Sequence, residues 1–343
     1  MDNTNKNINQ NANTNENKKI NNKRGSEYKE QLKKLKDKNY IKELEKQGIK
    51  VVSVNDRDYP AKLLPYDHRP EYLFYKGRLP DRDKPVVAMV GARACSNYGR
   101  KMARALAREL SENGVQIISG MARGIDTYSQ IGALEGGTPT FAVLGSGVDV
   151  CYPTENIELY NDILKNGGII SEYPPGTGPI AWHFPLRNRI ISGLSVAVLV
   201  IEAAQKSGTK RTFDYAGDQG KTVFAMTGRI NDPKSRGCID MIIEGAIPFT
   251  SVENIFRDKS VFLNAKEFCT LNNCKDSIEY DIKSLNYEKK EILELIKRQG
   301  NIKIDDICNY TGMDIKTINS NVNELLIDDY IIEMENKTYG FNV

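Results

Sequence analysis

Between residues 86 and 250 the chain alternates seven short apolar runs with polar, helix-like stretches. The runs are VVAMV (86–90), VQIIS (115–119), TFAVL (140–144), GIIS (168–171), VAVLVI (196–201), TVFAM (222–226) and AIPFT (246–250). The first, second, third and fifth are apolar at successive positions, so both of their faces must be covered. Such strands belong to a parallel sheet with helices on either side. Helical patterns fill intervals at 100–113, 125–135, 156–165, 187–194 and 212–219. The alternation predicts an α/β fold with an open, doubly wound, mostly parallel sheet. A closed eight-stranded barrel would need a further unit.

Composition excludes several other classes. The longest wholly apolar run is Val196–Ile201, six residues, against the ~20 a membrane span needs. The opening MDNTNKNINQNANTN lacks the apolar segment of a secretory signal. Two His rule out a His-rich metal site. The six Cys are scattered, and the only close pair, Cys269 and Cys274, lacks zinc-finger spacing. The expectation is a reducing, cytoplasmic compartment, with no metal, no cofactor and no membrane partner.

Residues 1–26 carry ten Asn and almost nothing apolar, which predicts a disordered tail. Residues 27–83 read as a lead-in. It holds one amphipathic helix over 27–47, or two broken near Asn39, then a strand IKVVSV and four prolines. The α/β core is expected over 84–257 and a polar linker over 258–285. Residues 286–343 predict helices at 287–298, 304–310 and 314–326 and a hairpin at 330–341, a winged-helix arrangement. Charge is uneven. Residues 1–50 hold 13 basic and 7 acidic side chains, whereas 286–343 hold 7 and 11. The presumed recognition helix, DIKTINSNVNELL, is poor in the basic residues that read DNA, so a packing or protein-contact role is expected there.

In an open α/β sheet, ligands bind beyond the carboxyl ends of the strands. Five strand-end loops there carry Gly, beginning at Gly91, Gly120, Gly145, Glu172 and Glu202. Glycines let backbone N–H groups approach a ligand, and helix N-termini add positive ends. Arg93, Arg123, Lys210 and Arg211 add charge. One such loop is most simply a tight turn. Five on one edge, three with basic residues, predict a phosphate-binding crevice.

The stretch Pro179–Arg189 joins Trp182 and Phe184 to Arg187, Asn188 and Arg189. Aromatic stacking with arginine is how single-stranded nucleic acid is gripped. An equal reading packs Trp182 and Phe184 onto the core and pairs Arg187 or Arg189 with Glu172 or Glu202. His183 has no nucleophile paired by spacing, and a structural role is expected. No G-x-G-x-x-G or G-x-S-x-G motif is present. Gly217–Thr222 mimics the end of a P-loop but precedes a strand, the reverse of the required order.

Taken together, VGARA, SGMARGID, VLGSGVDVCYP, SEYPPGT, HFPLRNRIISGLS, VIEAAQKSGT, DQGKTVFAM and RGCIDMIIEGA resemble the DNA-processing protein A family, also called Smf. The similarity runs from about Gly48 to Phe256. It implies an extended Rossmann-like sheet followed by a winged helix. It also implies a non-enzymatic homodimer that binds and protects single-stranded DNA and loads the RecA recombinase in natural transformation. Carried over, the family's pocket falls on Gly91, Arg93, Phe184, Arg187, Asn188 and Arg189. Ser119, Gly120, Gly124, Gly208, Thr209 and Lys210 are added as loop contributors. The chain departs from the family pattern at Phe213, Asp214, Thr227 and Ile239, all on the later half of the sheet.

Two other readings compete. A nucleotide-processing enzyme of the phosphoribohydrolase type would need a P-G-G-x-G-T-x-x-E motif. Pro174–Pro179 lacks its glycine doublet and its Glu. A winged-helix transcription factor would need a basic C-terminal segment, and this one is acidic.

Overall fold

The computed structural model describes residues 32–258, 285–328, 330–334 and 337–341. The tail expected at 1–26 lies outside them, as does the linker expected at 258–285 apart from its two end residues. The chain forms two compact units, one through most of residues 32–258 and one through 285–341.

In the first unit the amphipathic stretch breaks at Asp37. Its carboxylate accepts the Asn39 N–H at 2.8 Å and caps α1 (Lys38–Lys46). Then follow β1 (Ile49–Ser53), β2 (Tyr72–Gly77), β3 (Val86–Val90), α2 (Asn97–Glu112), β4 (Gln116–Ser119) and α3 (Ile125–Gly136). Next come β5 (Thr140–Val143), α4 (Ile157–Asn166), β6 (Gly168–Ser171), α5 (His183–Leu194), β7 (Ala197–Val200) and α6 (Thr209–Asp218). The unit closes with β8 (Thr222–Met226), α7 (Arg236–Ile243), β9 (Ile247–Phe249) and α8 (Val252–Phe256).

The nine strands lie in the order β1-β2-β6-β5-β4-β3-β7-β8-β9. Every pairing from β6 across to β9 is parallel. β1 and β2 pair antiparallel and extend the sheet beyond β6. The lead-in therefore supplies two strands of the main sheet. At the opposite edge Pro248 sits in β9, which among the described residues pairs only with β8. A missing N–H is tolerated on an edge strand.

The doubly apolar runs explain the layering. In β3, Val86, Ala88 and Val90 face one core with Ile190, Ile191 and Leu194 of α5. Val87 and Met89 face the other core with Met102, Leu106 and Leu110 of α2. Helices thus cover both faces. Three helices begin earlier than the periodicity suggests, α2 at Asn97 among them. α5 starts at His183 because Pro185 falls in its first turn, where proline is tolerated. α6 starts at Thr209. The sequence pattern gives no hint of α7, an eight-residue helix carrying a glycine.

The second unit holds α9 (Tyr287–Gln299), β10 (Ile302–Lys303), α10 (Ile304–Thr311), α11 (Ile315–Ile327), β11 (Ile331–Met334) and β12 (Thr338–Phe341). Its three strands form an antiparallel sheet in the order β10-β12-β11. Ile292, Ile296, Ile307, Ile318, Val322 and Leu325 make its core. Asn286 and Asp314 cap α9 and α11 through their side chains. The three helices and the hairpin expected over 286–343 are thus present. Among the described residues no helix is long and apolar enough to cross a membrane.

A Cβ at Gly132 of α3 would lie 2.1 Å from the Arg104 carbonyl oxygen, so α3 and α2 meet backbone to backbone. A Cβ at Gly217 of α6 would meet only open space. Alanine is favoured over glycine in a helix by ~0.8–1.0 kcal/mol, whereas forcing atoms into a packed contact costs roughly 1–3 kcal/mol. With so short a contact, Gly132→Ala is expected to lower the melting temperature by several degrees, and Gly217→Ala to raise it by a few. Thermal unfolding followed by circular dichroism reads both. Equal shifts in the same direction would contradict the close approach of α2 and α3.

Candidate functional site

β3 pairs with β4 on one side and β7 on the other. The order of strands therefore reverses at this point, and the loops leaving β3 and β7 part in opposite directions. A crevice opens at such a switch point, beyond the carboxyl ends. Here it has a volume of about 640 Å³ and is lined by the loops after β3, β4, β7 and β8 together with the start of α5.

Arg93 stands exposed on one rim, with its guanidinium 5.7 Å from the centre of the Phe184 ring. Tyr152, partly exposed, packs against the same ring with centroids 5.3 Å apart. Phe184 lies close over Gly145: a Cβ there would be 2.8 Å from the ring. The result is a half-exposed aromatic platform beside a cation, a surface on which a base can stack.

Arg187 lies on the floor, 3% exposed. It donates to the Gly120 carbonyl at 2.8 Å, to the Val143 carbonyl, and to Asn188 Oδ1 at 3.2 Å. Burial pulls its pKa down to about 10, with Asp126 opposing, so it stays charged at neutral pH. Asp126 is also buried and accepts the Gly120 and Ala122 N–H groups at 3.1 and 3.4 Å. Burial raises its pKa, against the pull of Arg187 and those N–H groups. These charges are structural neighbours first. Arg187 presents little surface to a ligand.

Arg189 does not line the crevice. Two residues along α5, it points elsewhere and forms a forked pair with Glu172, at 3.0 and 2.6 Å. Lys210 also lies outside, held by Asp214 at 2.6 Å and Glu244 at 2.7 Å. Arg123 is bound by Glu155 through two hydrogen bonds. Ser119 is fully buried and donates to the Met89 carbonyl at 2.6 Å, which ties β4 to β3. Gly120 gives Arg187 its room: a Cβ would fall 2.5 Å from the guanidinium. Gly124, at φ +74°, brings the β4 loop against the β3 loop, since a Cβ would lie 2.2 Å from the Ala92 carbonyl. Gly91, Asn188, Gly208 and Thr209 do line the crevice.

His183 is a structural residue. Its Nδ1 lies 3.0 Å from the Gly145 carbonyl, and its ring stacks on Tyr173 at 3.7 Å. The structure adds Tyr152, Lys206, Thr212 and Lys234 to the lining. Lys206 was within reach of a sequence reading, one residue before the Ser207–Thr209 turn. Lys234 lies after β8 and joins the crevice only because β8 is the neighbour of β7. Among the described residues, no carboxylate pairs with Arg93, Lys206 or Lys234. The open surface of the crevice is therefore cationic.

The first turn of α2 is already occupied. Glu202, 3% exposed, puts its carboxylate 2.6 Å from where a Gly99 Cβ would stand. That is the helix end on which a dinucleotide pyrophosphate rests in related sheets. A buried carboxylate there repels such a group.

A sequence model of the family described as DNA recombination-mediator protein A matches residues 50–260. The chain is 43% identical over 206 residues to the DNA processing protein DprA of Streptococcus pneumoniae, covering 60% of this chain and 73% of that one. The X-ray structure of DNA processing protein A from the same organism superposes with a TM-score of 0.58 at 41% identity, over 62% of this chain and 75% of that one. A structure of DNA processing protein A from Helicobacter pylori, described for its single-stranded DNA binding mode, superposes with a TM-score of 0.54 at 30% identity. It covers 60% of this chain and 93% of that one.

The Arg189–Glu172 pair supplies a test of the placement. Its two side chains are only 16% and 10% exposed. Removing one partner of a buried pair costs about 3 kcal/mol or more. Glu172→Gln is expected to destabilise the protein by about that amount and to leave the salt dependence of polyanion binding unchanged. Chemical denaturation reads the first and anisotropy titration the second. Loss of polyanion binding with unchanged stability would put Arg189 in the crevice after all.

Proposed function

The chain belongs to the DNA recombination-mediator protein A family, and on that premise we propose that it binds single-stranded DNA in the switch-point crevice without regard to sequence. The observation that carries this reading is the pairing of an aromatic platform, Phe184 with Tyr152, and an unpaired cation, Arg93, at the mouth of one cavity. Every base has a face to stack, so the platform does not select among bases. Arg93 meets the backbone as a fork that fits a phosphate.

The strand, once bound, is protected and handed to a RecA-type recombinase by a cytoplasmic homodimer, in recombination and in the uptake of DNA by natural transformation. The family membership supports these finer steps. The second unit, in this reading, is a winged helix that contacts protein. The protein acts as a binding and loading factor, not as an enzyme. The Glu202 carboxylate at α2 weighs against a nucleotide-processing site, because it fills the place of a nucleotide phosphate.

Trp182 is the only Trp, is 45% exposed and stands two residues from Phe184. Its fluorescence is expected to change saturably with oligo-dT and not with AMP. The affinity is expected to fall with salt along a slope of ~0.7 per phosphate neutralised. Arg93→Ala is expected to weaken binding on the order of tenfold or more, as loss of a charged hydrogen bond does, and to flatten that slope. Binding that ignores salt would contradict the proposal.

A further inference from the structure

A groove of about 440 Å³ runs between α3 and α4 and shares no lining residue with the crevice. Ile131 and Leu134 of α3 and Leu159 of α4 form its apolar floor. Four carboxylates, Glu135, Glu155, Glu158 and Asp162, also line it, and no cation does. Three of them meet cations that stand outside the lining: Glu135 meets Arg104, Glu155 meets Arg123 and Asp162 meets Lys165. These pairs lie at the surface, where ion pairs hold weakly and give way to competing cations. Glu158 is exposed and has no cationic partner among the described residues. An apolar floor between carboxylates suits a peptide with an apolar side chain between positive charges.

The chain itself carries such a peptide. Residues 18–24, Lys-Lys-Ile-Asn-Asn-Lys-Arg, hold four cations, one apolar side chain and no carboxylate. They lie outside the described residues. The other long stretch outside them, 259–284, holds four basic and four acidic side chains and offers no such match. The described chain begins at Leu32. Leu32 and Leu35 pack on the same apolar cluster as Ile131, Leu134 and Leu159. Residues 25–31 span roughly 25 Å when extended, and α4, with ten residues, is ~15 Å long. The segment therefore reaches the groove from the point where the chain joins the fold.

We propose that residues 18–24 dock in the α3–α4 groove of their own chain. Ile20 lies on the floor of Ile131, Leu134 and Leu159, and the flanking Lys and Arg side chains meet the carboxylates. Ile20 fixes the position, because charge alone would let the segment slide along the rim. Docked there, four cations are held against the chain's own carboxylates and withheld from phosphate. The dock does not depend on what the crevice binds.

Carbodiimide crosslinking of the full chain tests this, because it joins an amine to a carboxylate only where the two touch. Peptide mass spectrometry reads the joined pairs. A mixture of nitrogen-15-labelled and unlabelled chains separates bonds within one chain from bonds between two. Lys18, Lys19 or Lys23 is expected to join Glu158, with Glu135, Glu155 and Asp162 as further acceptors, always within one chain. Ile20→Asp is expected to cut that yield severalfold, and it removes no contact of the described fold. Glu158→Lys, at an exposed position, is expected to cut the yield at the other three carboxylates severalfold. An unchanged yield in Ile20→Asp would mean that charge alone draws the segment in, and would overturn the dock. Bonds that join labelled to unlabelled chains would assign the groove to a second copy. Joins confined to carboxylates outside the groove, or none, would leave it to another partner. Either result overturns the proposal.

Discussion

Beneath the crevice, Arg187 donates to the carbonyls of Gly120 and Val143, at the carboxyl ends of β4 and β5. Those groups mark where β4 and β5 stop. The guanidinium binds both strand ends, and Asp126 lies beside it in the same buried floor. Much of the local sequence serves this arrangement. Gly120 must be glycine because the guanidinium occupies the space of its Cβ. Pro185 lets α5 begin early enough to place Arg187 under the strand ends. Ser119 ties the end of β4 to β3.

With Arg187 and Asp126 buried in the floor, the charge offered to a ligand comes from the walls. Arg93 and the pair Lys206 and Lys234 stand on opposite sides of the switch point. A flexible anionic chain meets positive charge at both walls and an aromatic face beside Arg93. A compact nucleotide would seek the first helix N-terminus, where the Glu202 carboxylate already sits. The same sheet topology thus favours a strand laid across the cavity over a nucleotide tucked into one end of it.

Four of the seven apolar runs were legible as strands because burial on both faces leaves a continuous signal, as in Val86–Val90 and Ala197–Val200. β2 was not, since a strand that follows a run of prolines reads as extended lead-in. The crevice was legible too, because glycine loops at successive strand ends converge whatever the details. The roles of single arginines were not. In the run Arg187-Asn188-Arg189 the two arginines look alike as sequence, but successive positions on a helix turn by about 100°. One guanidinium therefore goes beneath the sheet ends, and its neighbour two residues on goes to Glu172. The alternative pairing of Arg189 with Glu172 could be written from the sequence but not chosen. Lys234 was invisible because only the β7–β8 pairing brings its loop to the site.

The central claim is that a single strand lies across the carboxyl ends of β3 and β7, against Phe184 and Tyr152. Photo-crosslinking of the full chain to oligonucleotides carrying 5-iodouracil, followed by peptide mass spectrometry, tests it most directly, since that base couples to aromatic rings it stacks upon. The account predicts adducts on Phe184 or Tyr152, which disappear in Arg93→Ala under the same salt. Adducts confined to residues 285–341, or to the β1–β2 edge of the sheet, would contradict it.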